Sequence, residues 1–282
     1  MKMDSLSKRI GMASLVTAML FTGNAWAGEI RAAKPETPLA TVSTAPPTVP
    51  ETQVTEPVLS PAALACAAIG AEADGRHIFV YDAGADEMVW CGTSETDRLY
   101  PASITKLYAS LVGLMYLDPE TVVTAGEELK LVQSDSSRAY LSRGCKITVK
   151  MLVEAMLVPS GSDASYVFAA AAGRAITGDE TLSGEEAVAA FLEEMNRQRE
   201  ILGMQNSHFT NPDGYHDDDH YMCPADVALV ADLAWENPVI GEYMALQQDS
   251  VRFVSGETIT WYNNNLLMDP TAPCYSASAV GM

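Results

Sequence analysis

Tyr100-Pro101-Ala102-Ser103-Ile104-Thr105-Lys106-Leu107 is the stretch on which the reading of this chain turns. Proline has a fixed φ and no N–H, so it suits a helix entry, where neither costs much. Behind Pro101, Ile104, Leu107, Leu111, Leu114 and Met115 recur at helical spacing, with the small residues Ala109, Ser110 and Gly113 between them. The pattern predicts a buried helix with Ser103 in its first turn. Residues three apart share a helix face, which brings Lys106 beside Ser103. A serine hydroxyl is a weak nucleophile near neutral pH and needs a base. A lysine whose pKa is lowered by burial can be that base. The helix N-terminus adds positive potential where negative charge would develop. A four-residue pattern also arises by accident, so its meaning depends on the rest of the chain.

The chain has 282 residues, 48% of them hydrophobic, enough for one large domain or two modest ones. Its formal net charge is −20. That excludes nucleic acid as a natural partner, because such binding rests on neutralising phosphates with Lys and Arg. Lys2, Lys8 and Arg9 precede a mainly apolar run over residues 10–23, and Ala25-Trp26-Ala27 fits a small-x-small cleavage site. Residues 1–27 therefore read as a secretory signal peptide, the apolar run being short for a membrane span. An uncleaved anchor is the alternative. Residues 28–61 are rich in Pro and Thr without apolar periodicity, a disordered linker. The folded domain is expected over 62–282. Cys66, Cys91, Cys145, Cys223 and Cys274 are odd in number and none forms a C-x-x-C pair. Export permits disulfides, and the pairing stays open.

Residues 77–82 and 87–91 read as two strands of a hairpin, with turn chemistry in Ala83-Gly84-Ala85-Asp86. Residues 147–202 read as mostly helical. Thr148 can cap a helix with the apolar face Val149, Leu152, Val153, Met156 and Leu157. Pro159 ends it, Ser160-Gly161-Ser162 forms a tight loop, and Asp163 can cap the alanine-rich helix beyond. Ser183 and Glu186 have capping-box spacing for a further helix. Asn211-Pro212-Asp213-Gly214 is a turn. His216-Asp217-Asp218-Asp219-His220 has the residue types that bind zinc or calcium, but in consecutive positions. It reads as a solvated acidic loop, with no metal site expected. Residues 225–235 suggest a short helix, and 250–261 a strand, a turn at Gly256 and a second strand.

With these segments in order, the chain resembles the serine D-alanyl-D-alanine carboxypeptidases, the low-molecular-mass penicillin-binding proteins. Ser103-Ile104-Thr105-Lys106 matches their Ser-x-x-Lys motif. Ser160-Gly161-Ser162-Asp163-Ala164 stands where the family has Ser-Gly-Asn-Asp-Ala. Leu202-Gly203-Met204 and Phe209-Thr210-Asn211-Pro212-Asp213-Gly214 match two further segments, and Tyr262-Asn263-Asn264-Asn265-Leu266-Leu267 resembles the stretch before the third motif. The similarity covers about residues 78–282. Two features depart from the family. Ser162 replaces an asparagine, and the Lys-Thr-Gly triplet expected after Met282 is absent, so the sequence reads as C-terminally truncated.

The resemblance implies an α/β (α+β) chain of the β-lactamase and penicillin-binding-protein-like transpeptidase fold, an antiparallel sheet flanked by helices beside a mostly helical lobe. It implies Ser103 as nucleophile, Lys106 as base and Ser160 as proton relay, with Gly161 and Ser162 binding substrate and no cofactor or metal. The implied partners are a peptidoglycan stem peptide and β-lactam antibiotics, in the extracytoplasmic envelope, with membrane association through a missing C-terminal segment. A class A-like β-lactamase is the second enzymatic reading, with Glu180, Glu185 and Glu186 downstream of the second motif. A catalytically silent envelope-binding homologue is the third.

Overall fold

The computed structural model describes residues 79–82, 87–91, 94–277 and 279–281, all within the compact unit Gly75–Met282. The expected signal peptide and linker lie outside the described residues. Strands β1 (Phe79–Asp82) and β2 (Glu87–Cys91) form the expected hairpin, pairing Val80 with Trp90 and Asp82 with Glu87 across a bulge. A 3-10 turn, Ala102–Ile104, then leads into α1 (Thr105–Gly113). Beyond it, β3 (Val122–Thr124) pairs antiparallel with β4 (Lys146–Thr148), and a short 3-10 helix, Glu127–Leu131, lies between them in sequence. Four helices follow from the predicted helical stretch onward: α2 (Val149–Leu157), α3 (Ser162–Thr177), α4 (Gly184–Ile201) and α5 (Pro224–Glu236). Helix α6 (Pro238–Met244), the hairpin of β5 (Gln248–Arg252) with β6 (Thr258–Tyr262), and a last 3-10 turn, Leu266–Met268, follow. Among the described residues every pairing is antiparallel, in three two-stranded ladders. No described helix is long and apolar enough to cross a membrane.

Two caps follow the sequence closely. Thr148 Oγ1 accepts from Met151 N–H, and Ser183 and Glu186 form a reciprocal capping box at the start of α4. Asp163 departs from expectation. It lies in the first turn of α3, whose N-cap is Gly161, and its carboxylate serves another segment, as described below. Helix α1 departs too. Its buried residues are 105–110, Val112 and Gly113, so Leu107 is buried as expected, whereas Ile104, Leu111 and Leu114 are only half-buried and Met115 is 48% exposed. A neighbour on nearly every side accounts for this, since α1 packs on α3, α4 and α5 at once. Helix α6 carried a missed signal, Asn237 before Pro238. The Asn237 side chain accepts from Val239 and Ile240 N–H.

Helix α3 runs through the core, with Ala164, Val167, Phe168, Ala169, Ala170 and Ala172 fully buried. Its alanines let neighbouring backbones come close. The nearest approach is at Gly173, where a Cβ would sit 1.8 Å from the Ala187 carbonyl oxygen of α4. Backbone cannot yield as a side chain can. Gly173→Ala should therefore destabilise the fold by roughly 1–3 kcal/mol, the usual range for overpacking. Urea unfolding measures it, and an unchanged midpoint would contradict the α3–α4 crossing.

Candidate active site

The entry to α1 is held by backbone. Leu99 exchanges two hydrogen bonds with Met222, each 2.9 Å. Ala102, directly before Ser103, has φ +47°, a conformation that L-residues rarely adopt. Its carbonyl packs on Gly214, where an added Cβ would lie 1.7 Å from the Ala102 oxygen. Only glycine, itself at φ +83°, fits there. The 211–214 turn is thereby pressed against the residue that presents Ser103. Asn211 shapes the turn, accepting from Gly214 N–H at 2.7 Å and donating to the Tyr215 carbonyl at 2.8 Å.

The structure brings Ser103, Lys106 and Ser160 together. Lys106 Nζ lies 2.9 Å from Ser103 Oγ and donates to the Asp213 carbonyl at 2.8 Å. Ser160 Oγ donates to Ser103 Oγ at 2.7 Å. Lys106 is 1% exposed, whereas Ser103 is half-buried and reachable. Burial pushes the Lys106 amine down from the ordinary 10.5 to about 8, against the opposing pull of Asp213 and then Asp163. As an ammonium, Lys106 donates to Ser103. Once deprotonated, it can accept the Ser103 O–H across the same contact.

Ser160 is also held at a positive φ, +59°. Its carbonyl accepts from Ser137 Oγ, and the Ser137 carbonyl accepts from Ser162 N–H at 2.9 Å. Gly161 and Ser162 are both buried. A Cβ on Gly161 would meet Ala139 Cβ at 2.6 Å and the Ala155 oxygen at 2.7 Å, so glycine is required. Lys106 Nζ is bonded to Ser103 and Asp213, not to Ser162.

Other residues of the site had a different role in the sequence reading, or none. Asp163 is buried and accepts from Ala139 N–H at 2.7 Å and Leu141 N–H at 2.8 Å, pinning the 137–141 segment beside Ser160. Trp261 of β6 donates from its indole to the Ala139 carbonyl at 3.1 Å. At the mouth, Tyr215 O–H donates to Asp135 at 3.1 Å. The 216–220 loop is exposed at His216, Asp217, Asp218 and Asp219, as expected, but not at His220, which is buried against Thr105. Among the described residues no cluster of metal-ligand type is present. Of the three glutamates considered for deacylation, Glu180 and Glu185 are exposed, and Glu186 is engaged by its capping serine.

A family model described as D-alanyl-D-alanine carboxypeptidase matches residues 67–275. The chain is 27% identical to the D-alanyl-D-alanine carboxypeptidase DacF of Bacillus subtilis, over 62% of this chain and 43% of that protein. It is 28% identical to a Streptomyces D-alanyl-D-alanine carboxypeptidase, over 78% of this chain and 71% of the relative. It therefore spans less than half of the Bacillus protein's length and most of the Streptomyces one. The crystal structure of a Streptomyces DD-transpeptidase superposes with a TM-score of 0.60 at 25% identity, covering 68% of this chain and 74% of that one. DacD of Francisella tularensis superposes at 0.55 and 26%, covering 66% and 43%.

The burial of Lys106 has a direct readout. In protein labelled with 13C-lysine, one side chain should titrate near pH 8, well below the surface lysines, and its signal should disappear in Lys106→Met. A full set of lysines titrating above pH 10 would contradict the site geometry.

Proposed function

Because the chain belongs to the D-alanyl-D-alanine carboxypeptidase family, we propose that it removes the terminal D-alanine from peptidoglycan stem peptides through an acyl-enzyme on Ser103, and that β-lactams acylate the same serine. One observation carries the reading: a buried amine of lowered pKa lies 2.9 Å from a reachable hydroxyl. Neutral Lys106 takes the Ser103 proton as Oγ attacks the penultimate D-Ala carbonyl carbon. The carbonyl oxygen becomes an oxyanion, and the Ser103 N–H supplies one of its donors. Collapse breaks the C–N bond, and the proton passes through Ser160 Oγ to the departing D-Ala nitrogen. Water then attacks the ester, giving up a proton to Lys106, and Ser103 is regenerated. Each of these transfers is carried by this chain's own side chains and backbone. Residues 1–27 support export to the cell envelope, where such a substrate lies.

The reading predicts a penicillin adduct on the peptide containing Ser103, found by mass spectrometry of the full-length protein and absent from Ser103→Ala. A stable adduct fits the carboxypeptidase, and a rapidly lost one a β-lactamase. Because the base is the neutral amine, acylation should rise with pH up to about 8 and then level off. Lys106→Arg keeps the charge but cannot deprotonate, and should slow acylation at least about a hundredfold. Near-normal acylation by the arginine variant would rule out the base.

Ser162 generates a separate expectation. An asparagine there would offer an amide near the lysine and the substrate, with both a donor and an acceptor. Ser162→Asn should raise turnover of a D-Ala-D-Ala peptide by the worth of one hydrogen bond, about 0.5–1.5 kcal/mol. A decrease in steady-state rate would show that this chain is adapted to the serine.

A further inference from the structure

His220 is 1% exposed and lies outside the trio that the proposed chemistry uses. Its Nδ1 is 3.2 Å from Thr210 N, and its Nε2 is 2.8 Å from Thr105 Oγ1. A backbone N–H can only donate, so Nδ1 must be the acceptor. The proton then sits on Nε2, and the ring donates to Thr105. The Phe209 ring meets the imidazole edge-on at 5.6 Å, excluding water from that side.

The two partners of this ring lie in the two segments that hold the catalytic amine: the first turn of α1, which carries Lys106 itself, and the turn that ends in Asp213 and Gly214. Thr105 is fully buried and directly precedes Lys106 on α1. Thr210 directly precedes Asn211 and opens the turn whose Asp213 carbonyl takes the other Nζ hydrogen bond. We propose that His220 is a positioning residue for Lys106: by bonding Thr105 and Thr210 together, it sets the distance between the first turn of α1 and the 211–214 turn. The proposal rests on reading Lys106 as the base of the reaction. The ring never touches the reacting atoms.

The ring must stay neutral to do this, because a proton on Nδ1 would face the Thr210 N–H. Burial holds His220 down at about 4, with Asp217 opposing and His208 assisting. Asp217 also fixes the ring's backbone, its carbonyl accepting from His220 N–H at 3.0 Å. Both bonds therefore persist throughout the range in which Lys106 titrates.

Amide side chains separate the two bonds. Glutamine can place a donor near the Nε2 position, whereas asparagine reaches only the Nδ1 position. Thr105→Val removes the acceptor while keeping the branched shape. In the full-length protein, His220→Asn and Thr105→Val should each raise the Lys106 pKa by at least about one unit, as a loosened pocket admits water. Penicillin acylation at pH 8 should fall about ten- to a hundredfold, the scale of a misplaced catalytic group. His220→Gln, which keeps a donor for Thr105 but leaves the Thr210 N–H without its acceptor, should lose acylation to a similar extent. The double variant Thr105→Val/His220→Asn should be no slower than the slower single one, since both break the same link. Nitrogen NMR of the unmodified protein should show a neutral ring protonated on Nε2.

An Nδ1-protonated ring would overturn the proposal. So would a Lys106 titration unchanged in variants that melt cooperatively, or losses that simply add. Should His220→Asn fail to fold, Thr105→Val and the ring tautomer carry the same test. If penicillin never acylates the unmodified protein yet Lys106 shifts as described, the carboxypeptidase reading fails and the positioning role stands.

Discussion

The structure around Ser103 depends on keeping one primary amine out of water. Lys106 is buried on a helix that packs against five others, and its nitrogen is bonded to a hydroxyl on its own turn and a carbonyl 107 residues away. Lowering its pKa from 10.5 to about 8 corresponds to about 3 kcal/mol of unfavourable burial of the charged form. The unfolded chain binds the proton more tightly, so this cost is full below about pH 8 and fades as pH rises toward the ordinary value. At neutral pH the fold tolerates a destabilised ammonium, and that instability lowers the pH at which the amine gives up its proton.

The residues that present the two serines are themselves strained. Ala102 and Ser160 both sit at positive φ without being glycine, an arrangement that costs about 1–3 kcal/mol each and persists only where its surroundings enforce it. Gly214 supplies the space that lets the Ala102 carbonyl sit where it does. Ser137 holds the Ser160 carbonyl, and Gly161 allows the backbone behind it to lie against Ala139. The core helix α3 begins at this second loop, so its burial anchors the strained turn. The placement of Ser103 and Ser160 is thus supported by packing interactions several residues away on each side.

Much of this was legible in the order of residues. The Ser-x-x-Lys spacing placed Lys106 beside Ser103, because helical periodicity is a local rule. The caps at Thr148 and Ser183 and the hairpin turn at Gly256 were legible for the same reason. The resemblance to the carboxypeptidases added Ser160, which no local rule brings to Ser103. Tertiary partners were not legible. Asp163 looked like a helix cap because its distance from Ala139 and Leu141 is fixed only once the 137–141 segment folds over it. His220 looked like one more polar residue of an acidic loop, and its burial depends on Thr105, 115 positions earlier. The strain at Ala102 and Ser160 left no trace, since neither position is the glycine that would announce a positive φ. The burial of α1 was legible at Leu107 and the small residues but not at Thr105 and Lys106, because a helix surrounded on most sides has no single apolar stripe.

The indole of Trp261 is bonded to the segment that Asp163 and Ser137 tie to the second serine. It is 2% exposed, while Trp235 is 50% exposed. An indole in a dry, hydrogen-bonded niche emits at shorter wavelength than one in contact with water. That segment thus has its own optical probe, carried by strand β6, whereas Ser103 lies in the turn before helix α1. A movement of that segment would alter the protein's intrinsic fluorescence, without any label near the serine.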